Sequence, residues 1–193
     1  MTLAARLRDA LRQTPSAPLL RGDFLGQEEG AAVPAAVLVA ITDRHAPGVI
    51  LTVRRDTMRT HAGQVAFPGG RVDPGEDALA AAVREAQEEI GLEPAAIDVL
   101  AAIDPYRTIT GYDVTPVVAA IPPDLPLEPH EHEVADWFEA PLGFVLDPAN
   151  HHLRSVAFQG RTRHYYEIPW NGRRIWGATA AMLVNLSRRL NWS

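Results

Sequence analysis

Three glutamates spaced along one helix face constrain this chain more than any other feature of its sequence. Glu85, Glu88 and Glu89 stand at i, i+3 and i+4 in a segment from about residue 77 to residue 90, which ends at Gly91. Four apolar side chains of the same segment centre about 130° away around the helix axis: Leu79, Val83, Ala86 and Ile90. The spacing predicts a helix that buries its apolar side and holds three carboxylates outward.

Carboxylates at these spacings repel, and each pair destabilises an isolated helix by a few tenths of a kcal/mol. A bound divalent cation would reverse that cost. Because the donors are all oxygens and the chain has no cysteine, Mg²⁺ or Mn²⁺ is favoured over zinc. Such ions suggest phosphate chemistry, since they bridge phosphate oxygens and acidify bound water. Taken on the three glutamates alone, a solvated acidic helix face is the alternative.

The rest of the chain predicts a mixed sheet between helices. A helix is expected near the N-terminus (about 2–14) and another near the C-terminus (about 175–190). Apolar and β-branched runs predict strands at 33–42, 49–54, 64–67, 97–103 and 114–121, with a strand-like or irregular segment at 133–140 and a hairpin from 156–158 and 164–168. Strands and helices do not strictly alternate, so within the α/β classes we expect an α+β fold, in one domain over residues 1–193.

Composition and charge exclude several classes of function. The 193 residues, 47% of them hydrophobic and 22% charged, suit one globular domain. The apolar stretches are too short to cross a bilayer, and the N-terminal segment lacks a signal-peptide core, so a cytoplasmic protein is expected. The net charge of -6 disfavours nucleic-acid binding, and seven acids against two arginines within 71–93 account for -5 of it.

The segment 70–92 resembles the Nudix box, G-x5-E-x7-R-E-U-x-E-E-x-G-U, where U is a large aliphatic residue. Its invariant letters fall on Gly70, Glu76, Arg84, Glu85, Glu88, Glu89 and Gly91. Ala86 departs from the pattern, being small where a larger aliphatic is preferred. The resemblance implies the Nudix fold and hydrolysis of a nucleoside diphosphate linked to another group. It also implies that Glu85 and Glu89, with Glu88 assisting, hold divalent ions, and that Arg84 and Glu76 orient the ligand helix.

A second motif lies directly upstream, at residues 50–70. The run ILTVRRDTMRTHAGQVAFPGG resembles L-L-T-x-R-(S/A)-x3-R-x3-G-x3-F-P-G-G, which marks the coenzyme A diphosphatases of the Nudix family. Ile50 is a conservative departure, whereas Arg55 replaces a small residue by a long cation that either alters substrate contacts or points to solvent. The resemblance implies cleavage of coenzyme A, or a derivative, to adenosine 3′,5′-bisphosphate and 4′-phosphopantetheine.

Candidate substrate contacts come from this upstream motif: Arg54, Arg59, His61, Gly63, Gly69 and Gly70. Coenzyme A carries a 3′-phosphate besides its diphosphate, and guanidinium groups pair with phosphate in a bidentate fork. The glycines would permit close backbone approach to phosphate or metal, and they are also common in loops. His61 is a candidate donor to phosphate, with an ordinary loop role equally open.

Residues further along the chain supply weaker candidates. Glu133 lies where related enzymes often carry a further acidic residue facing the metal helix, so it is a candidate general base or extra ligand. The H-x-H pattern beside it (130–132) is more typical of an exposed loop than of a zinc site. Adenine stacking and core packing are both open for three tryptophans: Trp137, Trp170 and Trp176.

Two alternative functions follow from the same residues. One keeps the Nudix chemistry and changes the substrate to ADP-ribose, NADH or a dinucleoside polyphosphate, and Arg55 is its motivation. The other is a module that binds a nucleotide without hydrolysing it, which is disfavoured because every box carboxylate is present. In each case we expect a small-molecule partner and no nucleic acid or membrane.

Overall fold

The computed structural model describes residues 2–23, 32–55, 63–158 and 160–192. Its helices are α1 (Leu3–Leu11), α2 (Ala78–Ile90), α3 (Leu142–Leu146) and α4 (Ala178–Arg189). Its strands are β1 (Val33–Thr42), β2 (Gly48–Arg54), β3 (Val65–Ala66), β4 (Gly69–Arg71), β5 (Asp98–Ala102), β6 (Tyr106–Arg107), β7 (Tyr112–Ile121), β8 (Val134–Pro141), β9 (His152–Phe158), β10 (Arg161–Trp170) and β11 (Arg173–Trp176). None of the helices in these ranges has the length and apolar character that a bilayer span requires.

The main sheet mixes parallel and antiparallel pairs. Its central order is β3-β2-β1-β7-β5, with β8 added to β2, β4 to β1 and β6 to β7. Strands β1 and β7 are parallel, and their register extends from Val33 opposite Tyr112 to Thr42 opposite Ile121. The other neighbouring strands of this sheet are antiparallel. The mixed sheet confirms the expected fold class.

Helices cover both faces of this sheet. Along β1, Ala36, Leu38 and Ala40 face α2, whereas Val39 and Ile41 face the core formed with α1, α3 and α4. This alternation follows from the period of two in a strand. The sheet therefore lies between helices, as expected.

A second sheet, ordered β11-β10-β9, precedes the last helix. Its β9–β10 hairpin is longer than expected, and β11 occupies part of the range where the C-terminal helix was expected to begin. Ile175 of β11 is fully buried and pairs with Ile168 of β10. Gly177 then turns the chain with φ 62° and ψ -136°, which favours glycine, and α4 begins at Ala178. The N-terminal helix is also shorter than expected and ends at Leu11.

Helix α2 is rotated relative to the expected orientation. Leu79 is 39% exposed and Val83 only partly buried. The buried residues of α2 are Ala81, Ala82, Ala86, Glu89 and Ile90. The alanines allow the helix to approach the sheet closely, and this orientation places Glu89 on the buried side. The expectation that Leu79 belongs to the core and that all three carboxylates point outward is therefore wrong.

Candidate functional site

Helix α2 is fixed at both ends by capping interactions. The Asp77 carboxylate accepts a hydrogen bond from the Ala80 N–H at 2.8 Å. At the other end, the Gly91 N–H donates to the carbonyls of the last turn. Because β4 pairs with β1 and packs beside α2, Gly69 and Gly70 lie against the glutamates of the helix.

Glu89 is a carboxylate buried within this site, with an exposed fraction of 4%. Its Oε2 accepts a hydrogen bond from the Gly69 N–H at 3.2 Å, and its Oε1 lies 3.9 Å from Nη1 of Arg54. Burial raises the pKa of Glu89 to about 7, against the lowering effects of Arg54 and the Gly69 N–H. The negative charges of Glu85 and Glu133 raise this pKa further. A cation at this position would therefore relieve an unfavourable buried charge.

Glu85 lies against the backbone of Gly70. A β-carbon at position 70 would stand 2.4 Å from Cδ of Glu85, and one at Gly69 would stand 2.4 Å from the Ala36 carbonyl oxygen. The backbone around position 69 therefore leaves space only for glycine, whereas at position 70 a larger residue would displace the Glu85 carboxylate. Burial raises the pKa of Glu85 as well, and the hydrogen bond from Arg84 opposes that shift.

Arg84 binds three glutamates at once. Its Nε and Nη2 donate to the two carboxylate oxygens of Glu76, both at 3.0 Å, and this bidentate pairing lowers the pKa of Glu76. Its Nη1 donates to Glu85 at 2.9 Å and to Glu88 at 3.1 Å. Its Nη2 also donates to the Arg71 carbonyl at 3.0 Å. Arg84 therefore fixes the orientation of Glu85 relative to strand β4.

Within the described ranges, no three Asp, Glu or His side chains converge in an arrangement that could already hold a metal ion. Glu88 is bound to Arg84, and its side chain is 60% exposed. The donor chemistry of Glu85 and Glu89 nevertheless fits a hard divalent cation, because both offer carboxylate oxygens. The raised pKa of each group shows that its negative charge lacks full compensation. These two residues are the strongest candidate ligands.

Glu133 lies in a turn beside the same carboxylates. The His130 N–H donates to the carbonyl of Glu89 at 2.8 Å, and the Glu133 N–H donates to the His130 carbonyl at 3.0 Å. The Glu133 side chain is exposed, and its charge raises the pKa of both Glu85 and Glu89. The rings of His130 and His132 meet edge to face at 5.5 Å on the exposed surface of this turn.

The upstream motif is described only in part. Arg59 and His61 lie outside the described residues. Arg54 ends β2, and the Gly63 N–H donates to its carbonyl at 3.1 Å, so Gly63 lies beside the end of this strand. Arg55 contacts the turn of Glu133 through its backbone and its guanidinium. Sequence reasoning did not predict this contact, although the departure of Arg55 from the motif was a signal that the position differs.

The three tryptophans have packing partners in the fold. Trp170 stacks on Phe138, with 5.5 Å between ring centroids. Trp176 meets Tyr165 edge to face at 5.8 Å. Trp137 is partly buried and packs against the core on the α2 side of the sheet. These contacts support a packing role for each of them.

Comparisons with known proteins agree with this geometry. The NUDIX domain family model matches residues 32–159. The uncharacterized Nudix hydrolases NudL of Cronobacter sakazakii and of Escherichia coli K12 are 44% and 42% identical to this chain over 157 residues, which are 81% of this chain and 82% of each relative. A crystal structure of the Nudix hydrolase RenU from M. smegmatis matches with a TM-score of 0.52 and 27% identity, over 60% of this chain and 74% of that one. This chain therefore belongs to the Nudix hydrolase family.

Proposed function

We propose that this protein hydrolyses the diphosphate bond of coenzyme A or its derivatives. The upstream motif at 50–70 supports this substrate, and one contact carries the proposal: the Arg54 guanidinium lies 3.9 Å from the Glu89 carboxylate. Arg54 belongs to the motif typical of coenzyme A diphosphatases, and Glu89 belongs to the Nudix box. A diphosphate bound beside Glu89 would therefore meet a cation able to pair with its oxygens.

Each residue of the site has a role in this proposal. Nudix hydrolases generally use divalent metals, and a bound Mg²⁺ or Mn²⁺ would neutralise charge developing on the phosphates and acidify a water molecule. Glu85 and Glu89 would hold the ion, with Glu88 assisting. Arg84 and Glu76 keep Glu85 in position.

Glu133 is proposed as the general base of this reaction. Its carboxylate would accept a proton from the attacking water as the new bond from oxygen to phosphorus forms and the bridging bond from phosphorus to oxygen breaks. Arg54 would orient the diphosphate for in-line attack. The expected products are adenosine 3′,5′-bisphosphate and 4′-phosphopantetheine, or its acyl form.

The test is chromatographic product analysis with four substrates. Purified protein is incubated with Mg²⁺ or Mn²⁺ and with coenzyme A, ADP-ribose, NADH or diadenosine tetraphosphate, and kcat/KM is determined for each. Glu89→Gln serves as the inactive control. The highest kcat/KM for coenzyme A, with adenosine 3′,5′-bisphosphate as product, would support the proposal. A preference for another compound would reject this substrate, and nucleotide binding without hydrolysis would support a sensing module instead.

A further inference from the structure

Arg55 departs from the upstream motif, where a serine or alanine is usual, and its contacts explain what the longer side chain does. Its guanidinium donates to the carbonyl oxygen of Glu131. Its backbone N–H donates to the carbonyl oxygen of Glu133 at 3.1 Å. The side chain is partly buried and bonds to a neighbouring segment of this chain.

The segment that Arg55 contacts is the turn at 130–133. On one side, the His130 N–H donates at 2.8 Å to the carbonyl of Glu89, near the C-terminal end of helix α2. Within the turn, the N–H groups of Glu133 and Val134 both donate to the His130 carbonyl at 3.0 Å. On the other side, Arg55 provides two further hydrogen bonds. The turn is therefore held between helix α2 and the end of strand β2.

The ladder between β2 and β8 is irregular at this point. Its register shifts between Val53 and Arg54, where Arg54 pairs with Val134. A shifted ladder provides fewer regular backbone bonds, so a side-chain donor to the turn contributes more to its conformation. A serine or alanine at position 55 would be too short to reach the Glu131 carbonyl.

We propose that Arg55 is a positioning residue that holds the turn at 130–133 and thereby keeps Glu133 directed toward Glu85 and Glu89. This inference rests on the role proposed above for Glu133. Adjacent arginines then serve one site by different contacts: Arg54 faces the carboxylate of Glu89, and Arg55 bonds to the backbone of the turn. In this assignment Arg55 touches neither substrate nor metal.

A double-mutant cycle on the best substrate tests the assignment. Since general-base catalysis contributes at least about 10²-fold, Glu133→Gln is expected to lower kcat by about that factor. Arg55→Ser, which restores the residue type of the motif, is expected to lower kcat about 10-fold with KM changed by less than about 2-fold. The kcat of the double variant should lie within about 2-fold of the kcat of Glu133→Gln, because both substitutions disable the same function.

Two further variants and one structural measurement complete the test. Arg55→Lys keeps a long donor and should restore kcat to within about 3-fold of wild type. Arg8→Ser is the matched control, since Arg8 pairs with Asp98 on the opposite edge of the main sheet and should leave kcat unchanged. In metal-free protein, hydrogen exchange in a peptide covering 128–134 should quicken in Arg55→Ser, whereas exchange in α2 should not.

Three results would overturn the inference. If the fold-decrease in kcat of the double variant equals the product of the decreases in the two single variants, Arg55 acts independently of Glu133. A raised KM with unchanged kcat would make Arg55 a substrate contact. Full activity of Glu133→Gln would remove the function that Arg55 is proposed to support. Because the cycle is measured on whichever nucleotide is cleaved best, a preference for a compound other than coenzyme A would reject the proposed substrate and leave this test valid.

Discussion

The backbone of Gly70 and the carboxylate of Glu85 are in direct contact, such that a β-carbon at position 70 would lie 2.4 Å from Cδ of Glu85. The contact joins strand β4 to helix α2 at a candidate metal ligand. Glu85 is held on its other side by Arg84 at 2.9 Å. Its carboxylate therefore has little freedom to move without losing one of these neighbours.

Gly70→Ala should impair activity far more than stability. The added methyl group meets the end of a flexible side chain, which can rotate away at small cost to the fold, but the rotation moves Glu85 from its position. Because a displacement of about 1 Å can cost about 10²-fold in rate, we expect kcat to fall 10-fold or more with the melting temperature nearly unchanged. Gly143→Ala, in helix α3 with no atom nearer than 4.0 Å to the new carbon, is the control. Equal activity of the two variants would contradict the prediction.

The raised pKa of Glu89 predicts how the stability of the metal-free protein depends on pH. Burial raises its folded-state pKa to about 7, above the ordinary 4.5. Between these values the folded protein holds a proton that the unfolded chain has released, so stability falls as pH rises through this window and levels off above it. Thermal unfolding in EDTA from pH 4.5 to 8 should show this decrease.

Two variants separate this effect from the general titration of the protein. Glu89→Gln should remove most of the difference in stability between pH 5 and pH 8, whereas Glu131→Gln, at an exposed position, should keep it. Added Mg²⁺ should raise the melting temperature more at pH 8 than at pH 5, because the ion competes with the proton for the carboxylate. Parallel stability curves for wild type and Glu89→Gln would refute the assignment.

Arg84 and Glu76 should act as one unit. Arg84→Gln removes the partner of three carboxylates, and we expect kcat/KM to fall about 10²-fold. Glu76→Gln breaks the bidentate pair and should cause a smaller loss, with the double variant little worse than Arg84→Gln alone. Arg44→Gln, which breaks ion pairs to Asp124 and Glu139, is the control and should retain activity. Steady-state kinetics provides the measurement. If the decrease in kcat/KM of the double variant equals the product of the decreases in the two single variants, the two residues act separately.

The sequence predicted best those elements whose boundaries carry local signals. Helix α2 was expected at about 77–90 and is observed at Ala78–Ile90, because Asp77 caps its start and Gly91 its end. The central strands β1 and β7 were predicted from their β-branched and apolar runs. In these cases local preference and tertiary packing favour the same structure.

The remaining features depend on tertiary contacts that local patterns do not reveal. The local sequence at Ile175 and Trp176 is compatible with the start of a helix or with a strand. These residues form a strand because they pair with β10. The orientation of α2 depends on how closely its alanines approach the sheet, which the positions of Leu79 and Val83 did not indicate. The contact of Arg55 with the turn at 130–133 joins segments more than seventy residues apart.

Ala86 is the residue of the Nudix box that departs from the pattern, and its packing predicts the effect of restoring a larger side chain. It is fully buried on α2 and belongs to the core between that helix and the main sheet. The box pattern prefers a larger aliphatic residue there, yet α2 approaches the sheet through small side chains. Ala86→Leu should therefore overpack this contact and lower the free energy of unfolding by about 1–3 kcal/mol.

Urea denaturation and steady-state kinetics test the two consequences of that change. Ala80→Leu, on the exposed side of α2, is the control and should shift stability by no more than about 0.5 kcal/mol. Because Ala86 lies directly after Glu85 and three residues before Glu89, any movement of α2 away from the sheet displaces both carboxylates, and kcat should fall as well. A more stable and fully active Ala86→Leu would mean that α2 packs loosely on the sheet and that alanine at this position does not set the distance between them.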